Sequence, residues 1–150
     1  LCAKGVVCIE RGASLQAAAK LMKKHHLGGL IVVEGKGATR PVGVLTDRDI
    51  VLGIVAENKP STTTVEEVMS KNVVKVRPSE GIASVVDQME QEGVRRMVIV
   101  DDAGEACGLV SADDIIQLVA RELNGLGRLV GQQVENERSP KAWQSPRVNQ

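Results

Sequence analysis

The sequence predicts an α/β (α+β-like) fold: two β-α-β-β-α units packed with pseudo-twofold symmetry through their sheets. Three observations carry this. The 150-residue chain repeats itself at an offset of 67 residues, apolar residues in both copies fall at helical spacing, and each helical stretch is followed by a short β-branched run. One copy alone is too small to hide the apolar faces of its own sheet and helices, so the two are expected to pack on each other.

The elements follow in order. Val6-Val7 falls on Val73-Val74 and opens a first strand in each copy. Leu15, Ala18, Ala19 and Met22 fall on Ile82, Val85, Val86 and Met89; both sets sit at i, i+3, i+4, i+7, the stripe of an amphipathic helix. Leu27-Gly28-Gly29-Leu30-Ile31-Val32-Val33 aligns with Val94-Arg95-Arg96-Met97-Val98-Ile99-Val100, a run that reads as a buried strand. Gly35-Lys36-Gly37 and Asp102-Ala103-Gly104 suit hairpin turns. Two extra residues in the first hairpin change the offset to 65, after which Gly43-Val44-Leu45-Thr46 matches Gly108-Leu109-Val110-Ser111 as another strand. Asp49-Ile50 and Asp114-Ile115 then open a second helix in each copy.

These assignments place one unit at 1–58 and the other at 72–123. The linker, 59–71, holds Pro60-Ser61-Thr62-Thr63-Thr64 and then a short helix at Val65-Glu66-Glu67-Val68-Met69. Leu1-Cys2 falls where Val68-Met69 would lie one repeat earlier. With no initiator Met, a trimmed native start is the expectation. Asn124-Gly125-Leu126-Gly127 reads as a helix stop and 124–150 as a C-terminal tail, polar over 135–150, with Trp143 its candidate for docking on a partner subunit.

Composition narrows the function. Lys plus Arg and Asp plus Glu both total 19, without the basic excess that a nucleic-acid backbone rewards. Phe and Tyr are absent and Trp143 is the one aromatic, so base-stacking platforms are lacking. No apolar run approaches the roughly 18 residues of a membrane span, and no signal peptide is visible. Cys2, Cys8 and Cys107 form an odd set without CxxC spacing, which suits packed thiols in a reduced, cytoplasmic setting. His25-His26 are neighbours on a helix and point apart, so helix-end surface histidines fit better than a metal pair. No nucleophile stands beside a base, and no GxSxG, HExxH or P-loop spacing occurs, so catalysis is not expected.

The most informative pattern is GVLTDRDI at 43–50, repeated as GLVSADDI at 108–115. Thr46-x-x-Asp49 and Ser111-x-x-Asp114 both fit a helix capping box. Capping is the stronger reading of one copy alone, but the motif also fits a nucleotide site, since an acid at such a turn can accept two sugar hydroxyls. The two roles are compatible.

Together with the leading V-M-S-K-N-V-V at 68–74, these paired motifs resemble tandem CBS domains, named for cystathionine beta-synthase, which form a Bateman module. The resemblance covers about residues 1–123. It implies a regulatory module that binds an adenosine-containing ligand between the copies: AMP, ADP or ATP, or a relative such as NAD or S-adenosylmethionine. By resemblance Asp49 and Asp114 hold ribose hydroxyls, with Thr46 and Ser111 near ribose or phosphate. Adenine would sit among Val6, Val7, Leu27 and Gly29 in one copy, and Val73, Val74, Val94 and Arg96 in the other.

The copies differ from each other and from the family. Leu30-Ile31-Val32 and Met97-Val98-Ile99 stand where the family often has Leu-Pro-Val. Arg48 precedes the acid in copy one and could neutralise a phosphate, whereas copy two has Asp113 there. Copy two instead carries Arg95 and Arg96 where copy one has Gly28 and Gly29; that pair is a solvated junction, or it contacts phosphate or an interface. Unequal sites are the expectation. The resemblance also implies a homodimer that signals to a downstream protein. The alternatives are a ligand-free interaction module, in which the motif residues are only caps, and a regulatory piece of a larger enzyme or transporter.

Overall fold

The computed structural model describes residues 6–138. The chain falls into two compact units, Leu1–Ala112 and Asp113–Gln150. The first holds both sheets. In chain order its elements are β1 (Cys8–Glu10), α1 (Leu15–His25), β2 (Gly29–Val33), β3 (Pro41–Thr46), α2 (Asp47–Ile50), β4 (Lys75–Val76), α3 (Ile82–Glu92), β5 (Arg96–Val100) and β6 (Ala106–Ser111).

The repeat is preserved in the order and register of the two sheets. In each sheet the first strand runs parallel to the second and the second antiparallel to the third, in the order β1-β2-β3 and β4-β5-β6. Gly29 pairs with Thr46 as Arg96 pairs with Ser111, and a bulge between Val32 and Val33 recurs between Ile99 and Val100. The hairpin glycines Gly37 and Gly104 share a φ of +78°, which a side chain would oppose. Helices α1 and α3 start and stop at the same repeat positions. Ser14 caps α1, its hydroxyl accepting from the Ala17 N–H at 3.1 Å. His26 closes α1 in the left-handed region (φ 53°), where the second copy uses Gly93 (φ 64°).

Period-2 alternation gives β2 two buried faces. Leu30 and Val32 pack with Leu15, Ala18 and Met22 of α1, while Ile31 and Val33 meet Val98, Val100 and Ala106 of the other copy. The two sheets thus share a core, joined by the Ala106 N–H donating to the Thr39 carbonyl at 2.9 Å. Burial on both faces explains why these strands read as unbroken apolar runs.

The linker is stitched to the first copy. Leu15 N–H donates to Thr63 O (2.9 Å), Val65 N–H to Ala13 O (2.8 Å) and Glu66 N–H to Arg11 O (2.9 Å), and Val65 is fully buried. Residues Val65–Glu67 form one 3₁₀ turn, boxed by Thr64 and Glu67. Beyond it Ser70 exchanges backbone hydrogen bonds with Val44, at 2.9 and 3.0 Å, adding a rung to the edge of β3.

Several expectations change. The strands begin just after Val6-Val7 and Val73-Val74, because the ladder starts only where β2 and β5 offer partners. Ala19, Ile82 and Val86 of the expected stripes are exposed; the face each helix turns to its sheet is narrower than its apolar stripe. The second helix of copy one is a four-residue α2 followed by a π-helical stretch, Val51–Ala56. Cys8 is disulfide-bonded and not a packed thiol, which counts against the reduced setting read from the cysteines; Cys107 is free. Cys2, Trp143 and the 139–150 part of the tail lie outside the described residues.

The second unit carries the rest of α4 (Ala112–Arg138). The expected stop at Asn124-Gly125-Leu126-Gly127 does not occur: neither glycine adopts a positive φ, and Leu123, Leu126, Val130 and Val134 continue the helical spacing. A glycine costs a helix about 1 kcal/mol without ending it. Among the described residues, no helix is long and apolar enough to cross a membrane.

Candidate functional site

At the end of β3 the chain turns directly into α2, and the turn is locked by a complete capping box. Thr46 Oγ1 accepts from the Asp49 N–H at 3.1 Å; Asp49 Oδ2 accepts from the Thr46 N–H at 2.8 Å and from the Thr46 hydroxyl at 2.7 Å. The box spends the hydroxyl proton of Thr46, and both carboxylate bonds fall on Oδ2. Oδ1 is therefore clear of the cap and can accept a ligand hydroxyl.

Thr46 and Asp49, both half-buried, open into a cleft of about 190 Å³. Its other walls are Val44, Ser70 and Asn72 on one side and Val94, Arg95 and Arg96, leading into β5, on the other. Residues from both repeats thus meet in one cavity, Asp49 from the first and Arg95 and Arg96 from the second.

Of the residues read from the sequence, this cleft gathers Thr46, Asp49, Val94, Arg95 and Arg96. Arg48 is exposed on α2 and not on the lining; its N–H donates to Asp47 Oδ1 at 2.8 Å. Val6 and Val73 pack against the core between the sheets, Val7 packs in the core under α1, and Val74 accepts the Val98 N–H at 2.9 Å. Leu27 is 39% exposed, and Gly29 begins β2 beneath the Arg96 side chain. Ser111 ends β6 and Asp114 lies in the first turn of α4, in the other unit. The repeat equivalents of Ser70 and Asn72 are residues 3 and 5, outside the described residues.

Val44, Ser70 and Asn72 were not singled out from the sequence. Val44 could have been found by strand alternation, since it shares a face with Thr46. Ser70 and Asn72 lie in the 68–74 segment that precedes the second copy's first strand. Among the described residues no three His, Cys, Asp or Glu side chains converge as metal ligands.

Comparison with known proteins agrees with this architecture. The CBS domain family model matches twice, at residues 1–56 and 65–121. The CBS domain-containing protein YhcV of Bacillus subtilis is 36% identical over 110 residues, covering 73% of this chain and 76% of that protein. An uncharacterized protein of Methanopyrus kandleri is 34% identical over 98 residues, 65% of this chain; the match spans 49% of that relative. Among solved structures, the CBS domain pair of protein MJ0100, in complex with 5′-methylthioadenosine and S-adenosyl-L-methionine, superposes with a TM-score of 0.68. It is 29% identical, over 78% of this chain and 93% of that one.

Proposed function

We propose that this chain, which belongs to the CBS domain family, is a regulatory CBS pair that senses an adenosine-containing small molecule in the cleft of Thr46, Asp49, Arg95 and Arg96. The observation that carries this reading is a single cavity walled by both repeats. A ligand there touches Asp49 from one copy and the Val94-Arg95-Arg96 corner from the other, so it binds best when the two stand in one relative position. That differential affinity is what shifts a conformational equilibrium. The adenosine compounds held by the MJ0100 pair support the ligand class; AMP, ADP, ATP, NAD and S-adenosylmethionine are the candidates.

The chain needs no cofactor and performs no chemistry in this reading; its output is a changed surface read by a partner protein. A homodimer belongs to the same proposal, with Ile82 and Val86 of α3, each 44% exposed, offering an apolar face. A second reading, a ligand-free interaction module, is favoured by the capping box, which accounts for Thr46 and Asp49 without any ligand. A third, a regulatory piece of a larger enzyme or transporter, is favoured by the half-length match to the M. kandleri relative. Calorimetric titration with AMP, ATP, NAD and S-adenosylmethionine separates the first two. Saturable heat from at least one supports a sensor, and none at millimolar concentration supports the interaction module.

A further inference from the structure

Helices α1 and α3 hold the same repeat positions and carry opposite charge. α1 has Lys20, Lys23 and Lys24 and no acid; α3 has Asp87, Glu90 and Glu92 and no base. The offset of 67 residues lays Lys20 on Asp87 and Lys23 on Glu90. Each helix buries one face, through Leu15, Ala18 and Met22 in α1 and through Val85 and Met89 in α3. At about 100° per residue, Lys20 and Asp87 stand on the opposite side of their helices, with Lys23 and Glu90 next to them. All six charged side chains are exposed, and among the described residues none of them makes an ion pair. An apolar step lies beside the charges: Ile82 and Val86 of α3 are each 44% exposed, and Val86 has the smaller, exposed Ala19 as its counterpart on α1. α1 lies on the side of its sheet away from the second copy, since Leu30 and Val32 face the helix while Ile31 and Val33 face the shared core. The repeat sets α3 on the outer side of its own sheet in the same way. The basic and acidic faces thus stand on opposite sides of one chain and meet only between chains.

We propose that a second copy of this chain docks head to tail, α1 of one protomer against α3 of its partner, so that Lys20 and Lys23 face an Asp87 and Glu90. The proposal rests on the homodimer part of the function above and names its arrangement; it does not depend on what the cleft binds. Charge decides the orientation. A head-to-head pair sets lysines against lysines and acids against acids, and such juxtaposition of like charge suppresses the wrong pairing. The head-to-tail pair matches the signs and lays Val86 on Ala19, large against small. Made twice about a twofold axis, the contact uses both faces of both chains and closes as a dimer. An open chain of copies would leave one charged face bare at each end.

The test is sedimentation equilibrium of the full chain and three variants: Lys20→Glu with Lys23→Glu, Asp87→Lys with Glu90→Lys, and all four changes in one chain. Wild type is expected to be a dimer whose dissociation constant rises with salt, because exposed charges are screened. Either two-residue reversal sets like charges face to face and should weaken the dimer about tenfold or more. The four-residue variant exchanges the signs of the two faces and should return the dissociation constant to its wild-type value. A head-to-head dimer would be indifferent to all three. Should a reversal fail to fold, Lys20→Gln with Lys23→Gln serves, removing the attraction without adding repulsion and weakening the dimer by less. A dimer unmoved by the two-residue changes, or one that the four-residue variant does not restore, overturns the head-to-tail arrangement and leaves the homodimer standing. A monomeric wild type overturns both together, and assemblies that lengthen with concentration overturn the closure about a twofold axis.

Discussion

Replacing Gly43 with alanine should loosen the linker that walls the cleft. A Cβ at this position runs into the Met69 Sδ and stands 3.0 Å from the Ser70 carbonyl oxygen. The thioether of Met69 can swing away, but the Ser70 carbonyl is backbone and is held by the Val44 N–H at 3.0 Å, with the reciprocal bond at 2.9 Å. Either β3 bends or the linker lifts. Overpacking of this kind costs about 1–3 kcal/mol, and losing one of the two hydrogen bonds adds about 0.5–1.5 kcal/mol. A total near 3 kcal/mol corresponds to a melting temperature lower by about 9 °C in a chain of this size. Thermal melts followed by circular dichroism, with the urea m-value checked for constancy, measure it. Because Ser70 lines the cleft, ligand affinity should fall as well. Gly12→Ala is the control: no described atom lies within 4 Å of its Cβ, so its melting point stays level or rises slightly. If Gly43→Ala melts within about 1 °C of wild type, the linker does not press on β3 and the reasoning fails.

Other outcomes follow from the same structure. His26→Gly relieves a left-handed histidine at the α1 cap and should stabilise by about 0.5–1 kcal/mol, seen as a melting point raised by about 2–3 °C. Ile31→Ala empties the core between the sheets, where Ile31 is 1% exposed. It should cost about 2–5 kcal/mol in chemical denaturation, with both repeats still unfolding in one transition; two separated transitions would show that the shared core does not couple them. Hydrogen bonds from the Thr64 N–H and hydroxyl hold the Glu67 carboxyl below its usual range, and the Arg77 N–H, with Gln88, does the same for Glu80. Folding therefore favours the ionised forms, and their contribution is present above the unfolded pKa and lost as pH falls through the lowered folded values. Melting temperature should be level from pH 7 to about 5 and fall below about 4.5, with a smaller fall in Glu67→Gln.

Much of this was legible because the repeat constrains it twice. The offset of 67 residues fixes α1 against α3 and β2 against β5, and hairpin and bulge recur in register. Thr46 and Asp49 were legible because the capping box they form has its own spacing in the sequence. The walls of the cleft were harder to see. Ser70 lies near the end of the linker and Asn72 at the start of the second copy; Ser70 is placed by backbone pairing with Val44, and backbone pairing leaves no side-chain signature. Val6 and Val73 have the apolar character of a base pocket, yet they pack in the core between the sheets; hydrophobicity alone does not tell a core from a pocket. The glycines at 125 and 127 signal a stop only when the backbone turns left-handed, and here the helix runs on. That Arg96 lies over Gly29 depends on how the two copies face each other, which neither repeat states by itself.

The most direct test of the central claim is the shift in melting temperature produced by saturating adenine nucleotide, compared between wild type and Asp49→Ala, each against its own unliganded state so that the lost cap cancels. At a ligand concentration one hundred times Kd the wild type should gain about 2.7 kcal/mol, a rise of roughly 5–10 °C, and Asp49→Ala should gain nothing measurable. An equal rise in both proteins would place the ligand away from Asp49 and contradict the account.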